Sequence, residues 1–291
     1  MGTSIDAVTV VSGGLRRRHS ARRLADAAAR ACLAEEHLPA DSVDLLLNAG
    51  LYRDRNLGEP ALAALIQEDI GANLGDPPIG GHGTFSFDVA NGSAGVLTAL
   101  QIVDGLLASG TARRALIVAS DADPGRRMTS GFPFDATGGA ALCSWDAKTE
   151  GFVGFRWSTF PEFADLFDAE VRFEGRRNLL RIHRAPEFTA RAAACAAEVA
   201  GKILADHGLT TADVDAIVAA PPTAGFLDGH IAEMNVPRDQ VVASQHEGVH
   251  TSGLLYALDA WSRDTARAGA RTTLFVAASA GITVGAALYR R

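Results

Sequence analysis

The sequence of 291 residues is poor in lysine and cysteine, and it has no long apolar run. Lys148 and Lys202 are the only lysines, and the formal net charge is -7 at pH 7. A general nucleic-acid-binding protein needs a basic face to neutralise phosphates, so we do not expect nucleic acid as a partner. Because no 18 consecutive residues are apolar, the sequence predicts no transmembrane helix and no membrane partner.

Targeting and redox signals are also scarce. The N-terminus lacks a basic segment followed by an apolar core and a cleavage site, so no secretory signal is predicted. Cys32, Cys143 and Cys195 lie far apart, without the paired spacing of a metal site or a disulfide framework. We therefore interpret them as small core residues, and predict a cytoplasmic protein without a metal.

The sequence does contain an internal repeat. Ser93–Leu100 resembles Thr251–Leu258, which lies 158 residues further along the chain. At the same offset, Ala112–Ser120 resembles Ala270–Ala278. A shared offset across separated blocks indicates duplication, and duplication determines the architecture. The chain is therefore predicted to consist of two copies of one α/β half.

Apolar runs of strand length alternate with longer helical patterns in both halves. This alternation predicts mostly parallel sheets covered by helices. Two such halves related by a pseudo-twofold axis would form a five-layered αβαβα sandwich. We predict an N-terminal half at residues 1–146, a connecting and entrance segment at 147–178, and a C-terminal half at 179–291. The stretch from Asp146 to Asn178 is the poorest in pattern.

The segment Phe87–Gly95 places Ser93 between a buried strand and the start of a helix. The unpaired N–H groups and the positive dipole end of a helix stabilise negative charge, including the oxyanion of acyl transfer. A serine before a helix is also a common N-cap, which is the structural alternative. Asn91 replaces the first glycine of the Gly-x-Ser-x-Gly hydrolase motif, so that motif is not met.

His250 occupies the repeat position of Gly92, one residue before Thr251, the counterpart of Ser93. A pseudo-twofold axis would bring both strand-to-helix junctions together, and histidine is the usual base for a serine nucleophile. We therefore predict that Ser93 Oγ and a His250 ring nitrogen lie within hydrogen-bond reach, or one water apart. A structural or exposed histidine is the alternative. For His230, in a predicted helix, a solvent-facing or hydrogen-bonded side chain is expected.

Three segments carry a family resemblance over nearly the whole chain. Phe87–Gly95 resembles the Phe-Asp-x-x-x-x-Cys-x-Gly nucleophile segment of the β-ketoacyl-acyl carrier protein synthase III family, which has the thiolase fold. Asp135–Leu142 is similar to the glycine-rich strand of that family. Gly281–Leu288 is similar to its terminal Gly-Leu-Thr-Trp-Gly-Ala-Ala-Leu. The resemblance implies a thiolase-like α/β sandwich.

The same resemblance implies substrates and partners. It implies an acyl-CoA or phosphopantetheine thioester as substrate, an acyl carrier protein as partner, and no bound cofactor. It also implies a homodimer, or a heterodimer with a homologous ketosynthase-like chain, in which Thr84–Val89 pairs across the interface. The oxyanion donors would be the backbone N–H groups of Ser93 and Gly281. The arginines in the family's entrance and carrier-docking segment are Arg176, Arg177, Arg181 and Arg184, and the first three are the predicted carrier or CoA contacts.

The departures from the family matter for function. Ser93 replaces the cysteine, Ala219–Gly225 lacks the histidine of His-Gln-Ala-Asn, and His250 replaces an asparagine. In this fold two polar side chains stabilise the enolate of malonyl decarboxylation, so carbon–carbon bond formation is not expected. We predict an acyltransferase of ketosynthase III type, with Ser93 as nucleophile and His250 as general base and then acid. The alternative is a catalytically silent subunit that partners an active homologue; condensation through serine is disfavoured.

Overall fold

The computed structural model describes residues 2–14, 20–75, 77, 82–125, 128–129, 131–146, 151–267 and 269–291. In its described residues, the first half forms one five-stranded sheet with three α-helices. Its elements are β1 (Gly2–Ser12), α1 (Ala21–Glu35), β2 (Leu45–Asn48), α2 (Leu62–Ile70), β3 (Phe85–Asp88), α3 (Gly95–Ala108), β4 (Arg114–Asp121) and β5 (Thr137–Asp146). The strand order of this sheet is β3-β2-β4-β5-β1.

The second half repeats this arrangement and adds a hairpin. Its elements are β6 (Gly151–Thr159), β7 (Phe167–Glu174), β8 (Arg177–Arg184), α4 (Phe188–Asp206), β9 (Ala216–Ala220), α5 (Ala224–Met234), β10 (Val241–Val242), α6 (Gly253–Arg263), β11 (Thr272–Ser279) and β12 (Thr283–Arg290). The second sheet has the order β10-β9-β11-β12-β6. Each strand thus has a counterpart at the same place in the first sheet, which confirms the predicted duplication.

The order of helix and sheet layers follows from where each helix buries its apolar face. Helices α3 and α6 lie between the two sheets and share one apolar core with both of them. Helices α1 and α2 pack on the outer face of the first sheet, and α4 and α5 pack on the outer face of the second. Burying apolar faces on both sides of each sheet produces the predicted five-layered αβαβα sandwich.

The sheets are mixed rather than mostly parallel, which corrects the prediction. β4 pairs with β2 in parallel but with β5 antiparallel, and β1 is also antiparallel to β5. The second sheet repeats this pattern. The reason is that no α-helix separates β4 from β5 or β11 from β12 in the described part of the chain. Parallel pairing of consecutive strands needs a long crossover, whereas strands joined directly pair antiparallel.

The predicted connecting segment, residues 147–178, is mostly regular in its described part. β6 is the edge strand of the second sheet, where it pairs with β12. β7 and β8 form a two-stranded hairpin that was not predicted from the sequence. Gly175 and Arg176 form its turn with φ values of 53° and 66°. Two consecutive positive φ values are typical of the tight hairpin turns that match strand twist.

All three cysteines are buried and unpaired. Burial raises the pKa of Cys32 to about 12 and that of Cys195 to about 11, and it raises the pKa of Cys143 well above its usual range. The thiols are therefore protonated and weakly nucleophilic. In the described part of the chain, the structure contains no helix with the length and apolarity needed to cross a bilayer.

His230 departs from its prediction. It lies in α5 as expected, but its side chain is fully buried, and neither ring nitrogen has a hydrogen-bond partner among the described residues. The ring stacks on Phe226 at a centroid distance of 5.8 Å. Burial lowers the pKa of His230 to about 4, and the nearby Ala193 backbone opposes this shift without reversing it. His230 is therefore a neutral core residue, neither solvent-facing nor hydrogen-bonded.

We expect His230 to make the fold acid-sensitive. The unfolded chain binds the proton near pH 6.5, whereas the folded chain resists it until about pH 4. Stability is therefore complete above pH 6.5 and is lost as the pH falls towards 4, by at most about 3 kcal/mol. Urea unfolding at pH 7.5 and pH 5 should show a smaller loss in His230→Leu than in the wild type. The exposed-histidine control His37→Asn should keep the wild-type loss; equal losses in all three proteins would contradict the prediction.

Candidate active site

The two strand-to-helix junctions of the repeat meet at one cavity of about 340 Å³. Its volume lies in the range of small-molecule sites. Ser93 and His250 both line it, so the two predicted catalytic residues face one space. The other lining residues include Tyr52, Asn91, Gly92, Phe134, Phe167, Asp168, Arg184, Phe188, Pro221, Phe226, Glu247, Ser279 and Ala280. Aromatic walls with a few polar groups suit a substrate that is mostly apolar.

Ser93 lies in a short 3-10 turn, Gly92–Ala94, that leads directly into α3. Its side chain is 3% exposed and makes no capping hydrogen bond to the helix. The hydroxyl instead donates to the carbonyl oxygen of Ala278, with Oγ and O 2.5 Å apart. The N-cap alternative therefore does not describe Ser93 in this structure, because its hydroxyl reaches across to the other half.

Thr251, the repeat counterpart of Ser93, makes the reciprocal contact. Its N–H and its hydroxyl both donate to Asp121 Oδ2, at 2.7 Å and 2.6 Å. Asp121 ends β4 in the first half, just as Ala278 lies near the end of β11 in the second. Each junction is thus held against the strand end of the opposite half. This reciprocity fixes both junctions at the pseudo-twofold axis.

Position 92 needs a glycine for two reasons, its backbone conformation and the closeness of its neighbours. Its φ is +46°, a conformation that favours glycine. A Cβ added there would lie 2.2 Å from Ser279 Oγ and 3.9 Å from His250 Cε1. The repeat-equivalent residues Gly92 and His250 therefore face each other across the axis, as the sequence repeat predicted.

His250 is buried in an aromatic stack. Its ring lies 4.1 Å from the Phe134 ring and 5.4 Å from the Tyr52 ring, measured between centroids. Burial lowers the pKa of His250; the Asp121 carboxylate opposes this shift, and the Arg184 cation adds to it. The imidazole is therefore neutral at pH 7. A neutral imidazole is the form that a general base needs.

The structure describes no hydrogen bond between Ser93 and His250, and their approach to within hydrogen-bond reach or one water stays a prediction. The hydroxyl proton of Ser93 is donated to Ala278 instead. To pass its proton to His250, the hydroxyl must rotate away from that carbonyl. The lost bond costs on the order of 1 kcal/mol, which substrate binding can offset.

Ser279, which lies in the stretch Ser279–Gly281 expected to supply a backbone oxyanion donor, lines the cavity with a side chain that was not predicted to be part of the site. It is 3% exposed, and its hydroxyl makes no hydrogen bond with any residue that the structure describes. The wall at this point consists of Ser279 and Ala280, whereas Gly281 does not line the cavity. The role of the Gly281 N–H as an oxyanion donor stays a prediction.

The three predicted carrier-contact arginines lie on the β7–β8 hairpin and away from the cavity wall. Arg176 lies in the turn, Arg177 begins β8, and the Arg181 side chain forms an ion pair with Glu174. Arg184, at the end of β8, does line the cavity. The alternation of apolar and polar residues over Phe167–Glu174, followed by a glycine, is a hairpin signal that could have revealed this placement.

The stretch Ala219–Pro222 brings no polar side chain to the cavity. Ala219 and Ala220 are fully buried, and Pro221 lines the wall. This is the stretch where the family resemblance leads one to expect a histidine. His250 is therefore without the second polar partner that stabilises an enolate in that family.

Known proteins with similar sequences point to one family. A profile of 3-oxoacyl-[acyl-carrier-protein (ACP)] synthase III matches residues 87–160. The β-ketoacyl-[acyl-carrier-protein] synthase III of Erythrobacter litoralis is 26% identical over 293 aligned residues, covering 95% of this chain and 88% of the relative. The enzyme of the same name from Sphingopyxis alaskensis is 28% identical, covering 91% of this chain and 82% of the relative.

Solved structures show the same fold. The 3-oxoacyl-[acyl-carrier-protein] synthase III of Aquifex aeolicus has a TM-score of 0.79 at 19% identity, with 100% of both chains covered. Xanthomonas campestris OleA with bound lauric acid and lauroyl-CoA has a TM-score of 0.79 at 13% identity, covering 100% of this chain and 99% of OleA. The chain is therefore similar to ketosynthase III proteins over nearly its whole length and has a thiolase-like fold.

Proposed function

We propose that this protein is an acyltransferase that carries its acyl group on Ser93. The observation that carries the proposal is the placement of a buried serine and a buried neutral histidine on one cavity at the pseudo-twofold axis. The acyl donor would be a thioester of coenzyme A or of an acyl carrier protein. Relatives named for acyl carrier protein and a structural neighbour holding lauroyl-CoA support this substrate class.

The chemistry divides into two transfers. In the first, Ser93 Oγ bonds to the thioester carbon, the carbon–sulfur bond breaks, and His250 passes the hydroxyl proton to the departing thiol. In the second, an acceptor X–H attacks the serine ester, the Oγ–carbon bond breaks, and His250 returns a proton to Ser93. Backbone N–H groups of Ser93 and Gly281 would stabilise both oxyanions. A serine ester is less reactive than a cysteine thioester, so the acceptor must be held in place.

Decarboxylative condensation is not part of the proposal. That reaction forms an enolate, which in this family two polar side chains stabilise. Here His250 is the polar side chain at that place, and Ala219–Pro222 adds none. Malonyl thioester decarboxylation should therefore stay near background, which radiolabelled carbon dioxide release would measure.

The experiment is to incubate the protein with a panel of acyl thioesters and to follow intact mass and free thiol together. One added acyl mass with one thiol released is the expected result. If no donor leaves an acyl mass, the acyltransferase proposal fails, and the silent subunit becomes the better explanation.

One observation favours that second candidate function. The Ser93 hydroxyl is hydrogen-bonded to Ala278 and not to His250, so the pair is not aligned for proton transfer. A subunit that only completes an active homologue would tolerate this arrangement. In that case the Ser93→Ala substitution should leave the activity of the partner ketosynthase unchanged.

We also propose that the protein forms a dimer through β3. In the described part of the chain, this strand is at the edge of its sheet and pairs with β2 alone. Phe85 is 64% exposed there, with its ring 5.2 Å from that of Phe87. An open, apolar strand edge is a template for pairing with another chain. The partner is a second copy or a homologous chain.

The backbone pattern of β3 offers a sharp test of this interface. The N–H groups of Phe85 and Val89 bond to the neighbouring strand, so by alternation the Ser86 N–H faces the open edge. Ser86→Pro should therefore convert a dimer to a monomer, whereas Ser86→Ala, which keeps the N–H, should stay dimeric. Light scattering at micromolar concentration distinguishes the two. A monomeric wild type in the presence of any co-produced homologue would refute the interface.

A further inference from the structure

An arginine without an acidic partner among the described residues lies at the rim of the cavity. Arg184 ends β8 and lines the same cavity as Ser93 and His250. Its guanidinium carbon lies 5.7 Å from the ring centroid of Phe167 and 6.0 Å from that of Phe188. Cation–π attraction to two rings holds the guanidinium in place. Within the residues that the structure describes, Arg184 makes neither an ion pair nor a side-chain hydrogen bond.

The two acidic residues that line this cavity do not neutralise Arg184. The Asp168 carboxylate lies 3.4 Å from Nδ1 of His183, and Glu247 forms no ion pair with Arg184. The positive charge of Arg184 acts on His250, the proposed base, because it contributes to lowering the pKa of that imidazole. Nearby protein atoms lower the pKa of Arg184 by partial desolvation, although the residue is exposed to solvent. The rim of the cavity therefore holds a positioned cation with no counter-ion from the described residues.

We infer that Arg184 binds a carboxylate carried by one of the two substrates, either on the transferred acyl group or on the acceptor. The acyl donor and the acceptor would occupy this cavity in successive steps. A carboxylate on either of them would therefore be bound by Arg184 in the same way. A guanidinium presents parallel N–H donors that match the two oxygens of a carboxylate. The inference rests on the proposed acyltransferase function and adds a substrate class to it.

The carboxylate passes through the reaction unchanged. The bonds that form and break are those at the thioester carbon, Ser93 Oγ and the acceptor atom. Loss of carbon dioxide would leave an electron pair on an enolate. Ala219–Pro222 offers no polar side chain that could stabilise that enolate. Pairing with Arg184 keeps the negative charge on the carboxylate oxygens. An anionic acyl group such as malonyl or succinyl would therefore be transferred intact.

The first arm of the test compares acyl donors of matched length. Rates of acyl-enzyme formation are measured by intact mass with malonyl-CoA against butyryl-CoA, and with succinyl-CoA against valeryl-CoA. We expect the anionic donors to react on the order of tenfold faster, as a charge-assisted hydrogen bond allows. In Arg184→Gln this ratio should fall to about one. Arg184→Lys should restore part of the ratio, because lysine supplies the positive charge but not the two parallel N–H donors of a guanidinium.

The second arm compares acceptors on the butyryl enzyme. If 3-mercaptopropionate discharges the ester faster than 3-mercaptopropionamide, and Arg184→Gln removes that difference, the carboxylate belongs to the acceptor. Arg172→Gln is the matched control, because Arg172 lies on the same hairpin and pairs with Glu170 outside the cavity. It should keep the wild-type ratios in both arms.

The outcomes separate this inference from the function on which it rests. Equal rates for anionic and neutral compounds in both arms, with an acyl-enzyme present, overturn the role of Arg184 and leave the acyltransferase intact. Equal loss of the ratio in Arg172→Gln and Arg184→Gln also overturns it, since the effect would then be general charge. Absence of any acyl-enzyme with any donor refutes the proposed function itself.

Discussion

Ser93→Ala is expected to abolish both the acyl adduct and thiol release, while the protein remains folded. Alanine removes the only proposed nucleophile, and the three thiols are buried with raised pKa values that keep them protonated. The lost hydrogen bond to Ala278 costs only about 1 kcal/mol of stability. Intact mass after incubation with a reactive thioester measures the adduct, and thermal unfolding verifies the fold.

Ser120→Ala is the matched control for that experiment. Ser120 is also a fully buried serine whose hydroxyl donates to a backbone carbonyl, that of Ala21, at 2.9 Å. It lies outside the cavity, so its loss should affect stability by a similar amount and leave acylation at the wild-type rate. An acyl adduct that persists in Ser93→Ala would show that another group is the nucleophile.

His250→Ala is expected to slow acylation by roughly 100-fold or more, the usual effect of removing a positioned general base. His250→Phe should slow it equally while keeping an aromatic ring packed against Tyr52 and Phe134. Loss of the base is thereby separated from loss of packing. The exposed His246 lies outside the cavity wall, and His246→Ala should keep the wild-type rate.

The pH dependence of acylation gives an independent measure of the same residue. Burial lowers the pKa of His250, so the neutral base form persists below pH 6.5. The acylation rate should therefore be constant from pH 8 to pH 6.5 and decline only in more acidic solution. A rate that falls to half at pH 7 or above would contradict a base with a lowered pKa.

The architecture was predictable because the spacing of apolar residues repeats between the two halves of the sequence. Blocks at one offset contain the same buried strand and helix positions, so the amino-acid sequence alone places Ser93 and His250 at equivalent junctions. The mixed sheets were not predicted, because alternating elements alone do not show that β4 and β5 are joined without a helix. The β7–β8 hairpin was not predicted, although apolar and polar residues alternate over Phe167–Glu174. Its many charged residues are also typical of a solvent-exposed connecting segment.

The side-chain details of the site could not be predicted from the sequence. Whether the Ser93 hydroxyl points to His250 or to the Ala278 carbonyl depends on a single rotamer in a space formed by both halves. The proximity of Ser279 Oγ to Gly92 likewise depends on how closely the two junctions approach. Arg184 lies at the cavity because the hairpin places its paired ends, Phe167–Ala169 and Arg184, along the cavity wall.

The proposed mechanism depends on Ser93 carrying the acyl group. Tandem mass spectrometry of the acylated wild-type protein is the decisive measurement, because fragment masses assign the adduct to one residue. We expect a single acyl group on Ser93, absent when the protein is denatured before the thioester is added. An adduct on Ser279, on a cysteine or on any other residue, or no adduct with any thioester, would contradict the mechanism.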